Sequence, residues 1–230
     1  MPRYFLEVMY HGKAYSGFQV QENAITIQSE LERAIGILER AKVELTGSSR
    51  TDAGVHARQN FLHFDFDRPV HPHFLYKVNA ILPADIVVKS VFRVVDSAHS
   101  RFDALSRTYK YYIYRKKNPF LDDRAYFFPY QINLDLMQEA AKVIMEYRDF
   151  TSFSKRKTQV KTFNCRILEA GWQEEGDLLV FTVKADRFLR GMVRGIVGTI
   201  LRVGRGRIDL DEFRRIIEAR DCCKADFSTP

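Results

Sequence analysis

The chain has 230 residues, of which 46% are hydrophobic and 28% charged; this fits one large domain or two small ones sharing a core, and excludes a disordered or fibrous polypeptide. Lys and Arg outnumber Asp and Glu by 36 to 29 for a formal charge of +7, with a pI near 9.3, a balance that suits a polyanionic partner, nucleic acid first, and equally a merely basic protein. The cysteines Cys165, Cys222 and Cys223 are odd in number, with an adjacent pair poorly placed to bridge itself, so no disulfide framework is expected and a reducing cytoplasm fits.

In chain order, residues 4–10 mix apolar and polar side chains as a strand does, and His11-Gly12 turns the chain. Thr26 is placed to cap a helix in which Ile27, Leu31, Ala34, Ile35 and Leu38 recur on one face. Val43 and Leu45 begin a second strand that ends at Gly47. The segment GSSRTDAGVHA (47–57) follows as a loop. Leu62, Phe64 and Phe66 then alternate with His63 and Asp65 in a half-buried strand. Phe74, Val78 and Ile81 space out a short helix stopped at Pro83, and residues 86–95 are β-branched and strand-like.

TYKYYIY (108–114) is a further strand, since aromatic and β-branched side chains fit a pleated surface. Leu134 opens a helix with Leu136, Ala140, Val143 and Ile144 on one side, and residues 178–183 form a strand. Leu189, Met192, Val193, Ile196, Val197 and Ile200 define a long amphipathic helix. Asp209 with Glu212 makes a capping-box-like start to a last helix carrying Phe213, Ile216 and Ile217. This order predicts an α+β protein with a largely antiparallel sheet. Its two weakly similar halves join near residues 102–107, and with no Gly-, Pro- or Ser-rich linker between them they are expected to share one continuous sheet. No signal-peptide pattern opens the chain, and the apolar stretch 196–201 is far shorter than the roughly 20 residues a membrane span needs.

Three places carry possible chemistry. Asp52 stands between Thr51 and Ala53-Gly54, just after Arg50. An Asp there can simply form a turn whose Gly54 supplies a positive φ. It can equally be a reactive carboxylate, held ionised by Arg50 and backbone amides, since a cation within bonding distance lowers an Asp pKa by about 1–3 units. In RFLRGMVRGIVGTILR (187–202), Arg190 and Arg194 are expected one turn apart on a flank of the apolar face. That is a solvated basic face, or a site where one arginine reaches a buried carboxylate while Arg187 and the other take phosphates. Gly191, Gly195 and Gly198 leave one side of this helix small, at a cost of about 1 kcal/mol each relative to Ala; close approach of another backbone, or of RNA, would account for them. In SRTYKYYIYRKK (106–117), Tyr109 and Tyr111 share a strand face among Arg107, Lys110, Arg115, Lys116 and Lys117. Such aromatics are core or sheet-surface residues by default, and with cations beside them they also make a platform for unpaired bases. Further basic residues stand at Lys155-Arg156-Lys157 and at Arg202, Arg205 and Arg207.

No phosphate-cradling glycine loop, dinucleotide fingerprint or nucleophile elbow is present, and the Cys and His residues show no paired metal-ligand spacing. A single Asp working on nucleic acid without a cofactor remains.

On SGFQVQ (16–21), TIQSELERAI (26–35), GSSRTDAGVHA (47–57), SRFDALSRTYKYYIY (100–114), RDFTSF (148–153) and DRFLRGMVRGIVGTIL (186–201), the chain resembles the tRNA pseudouridine synthase A family. The resemblance implies two similar α/β halves, residues 1–103 and 104–230, about a bent, mainly antiparallel sheet flanked by helices, with a basic cleft. It implies a cytoplasmic homodimer that isomerises uridine to pseudouridine in the tRNA anticodon stem-loop, at positions 38, 39 and 40, with no cofactor and no metal. Asp52 aligns with the catalytic aspartate, Tyr109 with the tyrosine that stacks on the target base, and Arg194 with the basic residue that pairs with the aspartate. Arg50, Arg58, Phe18, Gln19, Arg101, Arg187 and Arg190 are then the expected RNA contacts. The alternative is a non-catalytic tRNA-binding or RNA-folding protein on the same scaffold.

Overall fold

The computed structural model describes residues 1–156 and 160–230; Lys157, one of the basic residues noted above, lies outside them. The chain forms two compact units, Met1–Ala104 and Leu105–Pro230. The α+β expectation holds, while the ladders form two four-stranded sheets, one in each unit, where the sequence reading had a single continuous sheet.

The first unit contains β1 (Arg3–Tyr10), α1 (Ile27–Glu39), β2 (Thr46–Gly47), β3 (Ala57–Asp65), α2 (Phe74–Ile81) and β4 (Ile86–Val94). Its sheet runs β2-β3-β1-β4, antiparallel throughout. Strict alternation in β1 puts Tyr4, Leu6, Val8 and Tyr10 into the core, where Ile27, Leu31, Ala34 and Ile35 of α1 and Phe74 and Val78 of α2 cover them. The start of α1 is a full capping box. The Thr26 hydroxyl accepts from Ser29 N at 3.2 Å, and the Ser29 hydroxyl accepts from Thr26 N at 3.0 Å, so two otherwise orphaned donors are satisfied.

Residues 42–45 are not the strand expected from Val43 and Leu45, although both side chains are buried. Leu45 N donates to Glu32 Oε1 at 2.9 Å, and its carbonyl accepts from Gln28 Nε2 at 2.9 Å. The side chains of α1 take the backbone groups that a neighbouring strand would have used, and pairing starts only at Thr46.

The second unit contains β5 (Arg107–Tyr114), β6 (Tyr126–Phe127), α3 (Leu134–Val143), β7 (Ile167–Glu175), β8 (Leu178–Ala185), α4 (Met192–Gly204) and α5 (Leu210–Glu218). Its sheet runs β6-β5-β8-β7, antiparallel except for β5–β6. Two strands escaped the sequence reading. β6 has only two residues. β7 is an edge strand whose register shifts between Ile167 and Glu169, and such a bulge breaks the period-two pattern by which strands are read. The last helix is capped as expected, with Glu212 N donating to Asp209 Oδ1 at 2.7 Å; the Glu212 carboxylate turns instead to Arg215.

A charge-sensitive element lies inside the first unit. His63 on β3 is 6% exposed, its Nδ1 is 2.8 Å from the Ser100 hydroxyl, and its ring meets His99 edge-on at 4.6 Å. Burial, with Arg3 and His99 adding to it, pushes its pKa down to about 4. The unfolded histidine takes up its proton near pH 6.5, so the folded state binds fewer protons between these values. Stability is therefore full above about pH 6.5 and falls as pH drops toward 4. Urea unfolding midpoints measured from pH 7.0 to pH 4.5 should fall, and His63→Gln should flatten that dependence; equal slopes for both proteins would remove His63 as its source.

Candidate active site

The loop 47–57 is built as a turn held on a platform. Val55 N donates to Asp52 O at 3.3 Å, and Gly54 has φ +78°, the left-handed third position that a type II turn requires. The turn expectation for Gly54 thus holds, but the loop is pinned well beyond what a turn needs. Phe18 N donates to Thr51 O at 3.0 Å, the Tyr10 and Thr51 hydroxyls bond at 2.8 Å, and Gly12 N donates to His56 Nδ1 at 2.9 Å. The His11 and His56 rings lie 4.0 Å apart. Upstream, Asn60 Nδ2 donates to Ser49 O at 3.1 Å. Bonds from three separate segments thus tie the loop on both sides of Asp52, to backbone before it and to the His56 side chain after it; Asp52 itself is exposed.

Glycine makes this platform possible. A Cβ on Gly12 would stand 2.1 Å from Val55 O, so no other residue fits there without moving the loop. A Cβ on Gly47 would meet the Phe18 ring at 2.5 Å. That contact corrects one expectation. Phe18 is 1% exposed and belongs to the core cluster of the first unit, so it props the loop from beneath and presents no surface to RNA. Gln19, Arg50, Arg58 and Arg101 are exposed on the same unit. Sequence reasoning missed Tyr10, His11 and His56 as loop supports. Tyr10 reads as an ordinary inward strand residue, and its hydroxyl partner cannot be inferred from periodicity.

In the second unit Tyr109 lies on β5 opposite Val183, half-buried, with its ring edge-on to Phe188 at 4.9 Å. Tyr111 follows two residues later on the same face. Lys110, on the opposite face, is paired with Glu175 at 3.2 Å; at this exposure such a pair is worth little. The helix of the arginines begins later than the spacing suggested. Arg187 and Arg190 precede α4, which starts at Met192 after Gly191 with φ +75°, so Arg190 is not one helical turn from Arg194. Glycine in the left-handed region breaks the chain direction there, and the Arg190 carbonyl accepts from Lys155 N at 2.9 Å. Arg190 is exposed and Arg187 half-buried.

Arg194, in the first turn of α4, is clasped by the segment 226–230. Its Nε donates to Thr229 O at 3.0 Å and its Nη2 to Phe227 O at 3.5 Å. Thr229, 2% exposed, returns a bond from its hydroxyl to Arg194 O at 3.0 Å. Next to it Tyr111 donates its hydroxyl to Pro230 O at 3.1 Å, and burial raises the Tyr111 pKa above its ordinary value. The same segment explains the small residues of α4. A Cβ on Gly198 would stand 2.3 Å from Asp226 O, and one on Gly195 would stand 2.8 Å from the Phe227 ring. Of the two expectations for this glycine face, backbone and RNA, backbone fills the space at Gly198, while the Phe227 ring fills it at Gly195. Thr199 ties the two together, accepting from Asp226 N at 3.0 Å while donating to Gly195 O at 2.7 Å.

Asp52 belongs to the first unit, and Tyr109 and Arg194 to the second. Among the described residues no helix is long and apolar enough to cross a membrane. Gly198→Ala gives a direct measure of the strap. In an open helix the change would add about 1 kcal/mol of stability. Here the added methyl meets a fixed carbonyl, and overpacking of about 1–3 kcal/mol outweighs that gain. A lowered melting temperature is expected; an unchanged or raised one would mean that the strap yields freely.

A family model described as tRNA pseudouridine synthase matches residues 145–229. The tRNA pseudouridine synthase A of Parabacteroides distasonis is 52% identical over 100% of this chain and 92% of its own length. That of Bacteroides fragilis is 48% identical over 99% of this chain and 92% of its own. The Bacillus subtilis protein of the same name is 39% identical over 93% of this chain and 89% of its own.

Proposed function

The chain belongs to the tRNA pseudouridine synthase A family and is an isomerase of tRNA uridine, and from this premise we propose that it acts in the anticodon stem-loop, at positions 38, 39 and 40, with Asp52 as the essential carboxylate. The observation that carries the reading is the Asp52 loop itself, an exposed carboxylate on a loop tied from three segments through its backbone and side chains. A mobile Asp would have to be ordered in each catalytic cycle; a pinned one has its entropy cost met by folding.

Conversion of uridine to pseudouridine breaks the bond from N1 to C1′ and makes one from C5 to C1′. Atoms and electrons balance within the nucleotide, so the chemistry needs no cofactor. The protein's tasks are to extract the base, hold it while it turns and move protons. Extraction costs a few kcal/mol of lost stacking, which Tyr109 offsets in part by stacking on the flipped uracil at about 1–3 kcal/mol per base. Asp52 engages the flipped nucleotide at the ring, at C1′ or at the 2′ proton, and Arg194 is its pairing partner, as the family resemblance implies. The strap from Phe227 to Thr229 holds the Arg194 guanidinium by two of its donors, which limits the orientations it can adopt. Arg50, Arg58, Arg101, Arg187 and Arg190, with Gln19, engage the stem in a basic cleft. The working form is a homodimer in the cytoplasm, as the family resemblance implies.

Asp52→Asn should lower pseudouridine formation on an unmodified tRNA transcript by more than about a thousandfold while leaving tRNA binding in place. Turnover near that of the unaltered protein would refute the assignment, and binding without product by the unaltered protein would favour the non-catalytic alternative. Arg194→Lys keeps the charge and loses the fork, and should cost about 1.5–3 kcal/mol of transition-state stabilisation, roughly ten- to hundredfold in rate. Binding should weaken steeply with salt, by close to one power of concentration per phosphate contacted, and a flat response would count against a basic tRNA cleft.

A further inference from the structure

The loop after α5 carries two thiols for which pseudouridine formation has no use. Lys224 N donates to Asp221 O at 3.0 Å, which closes a β-turn with Cys222 and Cys223 at its two central positions. The turn is anchored: Asp221 N donates to Ser152 Oγ at 3.0 Å, and Cys223 N donates to Asp221 Oδ1 at 2.9 Å. The two sulfurs and an Asp221 oxygen lie within 4.8 Å of one another. Arg156 reaches over from the segment following Ser154 and donates to both thiols, from Nε to Cys222 Sγ at 3.4 Å and from Nη2 to Cys223 Sγ. Lys155, Arg156 and Arg220 line an open cavity of about 290 Å³ beside Cys222; Asp149 is drawn off by Arg220 at 3.0 Å, which leaves Asp221 as the nearest acid.

Three neighbours of the thiols are cationic. A cation in contact with sulfur favours thiolate, the reactive form; two contacts from one guanidinium also oppose a metal cation at the same place. The contrast within the chain is sharp, since Cys165 is 2% exposed and burial holds its thiol up at about 12, where it is inert. Cys223 is exposed and Cys222 half-buried. As a permanent bridge the adjacent pair is poor, because it closes a small strained ring. Strained disulfides are the labile, reversible ones, which suits a switch.

We propose that Cys222 and Cys223 form a redox modification site, in which Arg156 bonds to both sulfurs and a hydroperoxide converts the pair to a vicinal disulfide. The Cys223 thiolate attacks the peroxide, the O–O bond breaks, and a sulfenic acid forms with loss of hydroxide or alkoxide. The Cys222 thiol then attacks that sulfur, the S–S bond forms, and the sulfenic hydroxyl leaves as water with the thiol proton. Each sulfur is oxidised by one electron and the peroxide is reduced by two. Oxidation removes the thiol partners of Arg156 and frees the segment whose Lys155 backbone is bonded to Arg190. This couples the thiols to the start of α4, a consequence that rests on the tRNA reading above.

Iodoacetamide labelling of the native full chain, followed by mass spectrometry, should modify Cys223 far faster than Cys165. Arg156→Gln should slow labelling of Cys223 about tenfold, because the guanidinium donor to its sulfur is lost. Dilute hydrogen peroxide should remove two hydrogens from the peptide containing both thiols, reversibly with dithiothreitol, and Cys222→Ser should instead stop at a sulfenic acid trapped by dimedone. Labelling indifferent to Arg156, or peroxide giving only sulfonic acid or no change, would overturn the site. If the disulfide forms, tRNA affinity at low salt should fall several-fold in the unaltered protein and not in Cys223→Ser. Unchanged affinity would overturn the coupling to tRNA, while the mass readout judges the thiol site apart from any activity.

Discussion

In each unit a carbonyl oxygen occupies space that any side chain would need. Val55 O lies 2.1 Å from the place of a Cβ on Gly12, and Asp226 O lies 2.3 Å from that of a Cβ on Gly198. These approaches bring the backbone of the Asp52 loop down onto the end of β1, and the strap down onto α4. The hydrogen bonds that position the candidate residues form only at that range: Gly12 N to His56 beside the loop, and Arg194 to Thr229 O and Phe227 O beneath the strap. Glycine is costly inside a helix, and its presence in α4 is offset by the contacts that its missing side chain permits.

Packing rather than ion pairing supports both platforms. The core of the first unit places Phe18 under Gly47, and that of the second gathers Met192, Ile196 and Ile200 of α4 into one cluster with Phe153 and Phe181. The described ion pairs are at least partly exposed, as with Arg3–Asp65 and Lys110–Glu175, and pairs of this kind contribute little.

The sequence was most legible where one side chain's burial decides the structure. The alternation of β1, the apolar stripe of α1 and the Asp209 cap were read directly, because burial and capping act through the residue that carries them. Reading failed where a partner distant in the chain takes over a backbone group. Leu45 is extended and buried yet unpaired, since Gln28 and Glu32 hold its amide and carbonyl. The bulge in β7 displaced its apolar residues from the expected period. Arg190 was put on a helix because its spacing to Arg194 is helical, and a left-handed Gly191 ends that continuity. The family resemblance puts Phe18 among the RNA contacts; only its burial shows it to be a prop.

By itself the sequence determined the chemistry available: one Asp in a glycine-flanked polar loop, a tyrosine strand with cations around it, an apolar helix carrying arginines, and a basic balance that suits a polyanion. Those properties belong to residue types and short spacings, and no folding is needed to state them. Tertiary structure alone decided what holds each residue. Tyr10 and His56 hold the Asp52 loop, and Thr229 clasps Arg194 from thirty-five positions away. The physical reason is that a hydrogen bond or a close backbone approach depends on where two distant segments meet, and sequence periodicity carries information only about the face of a single element.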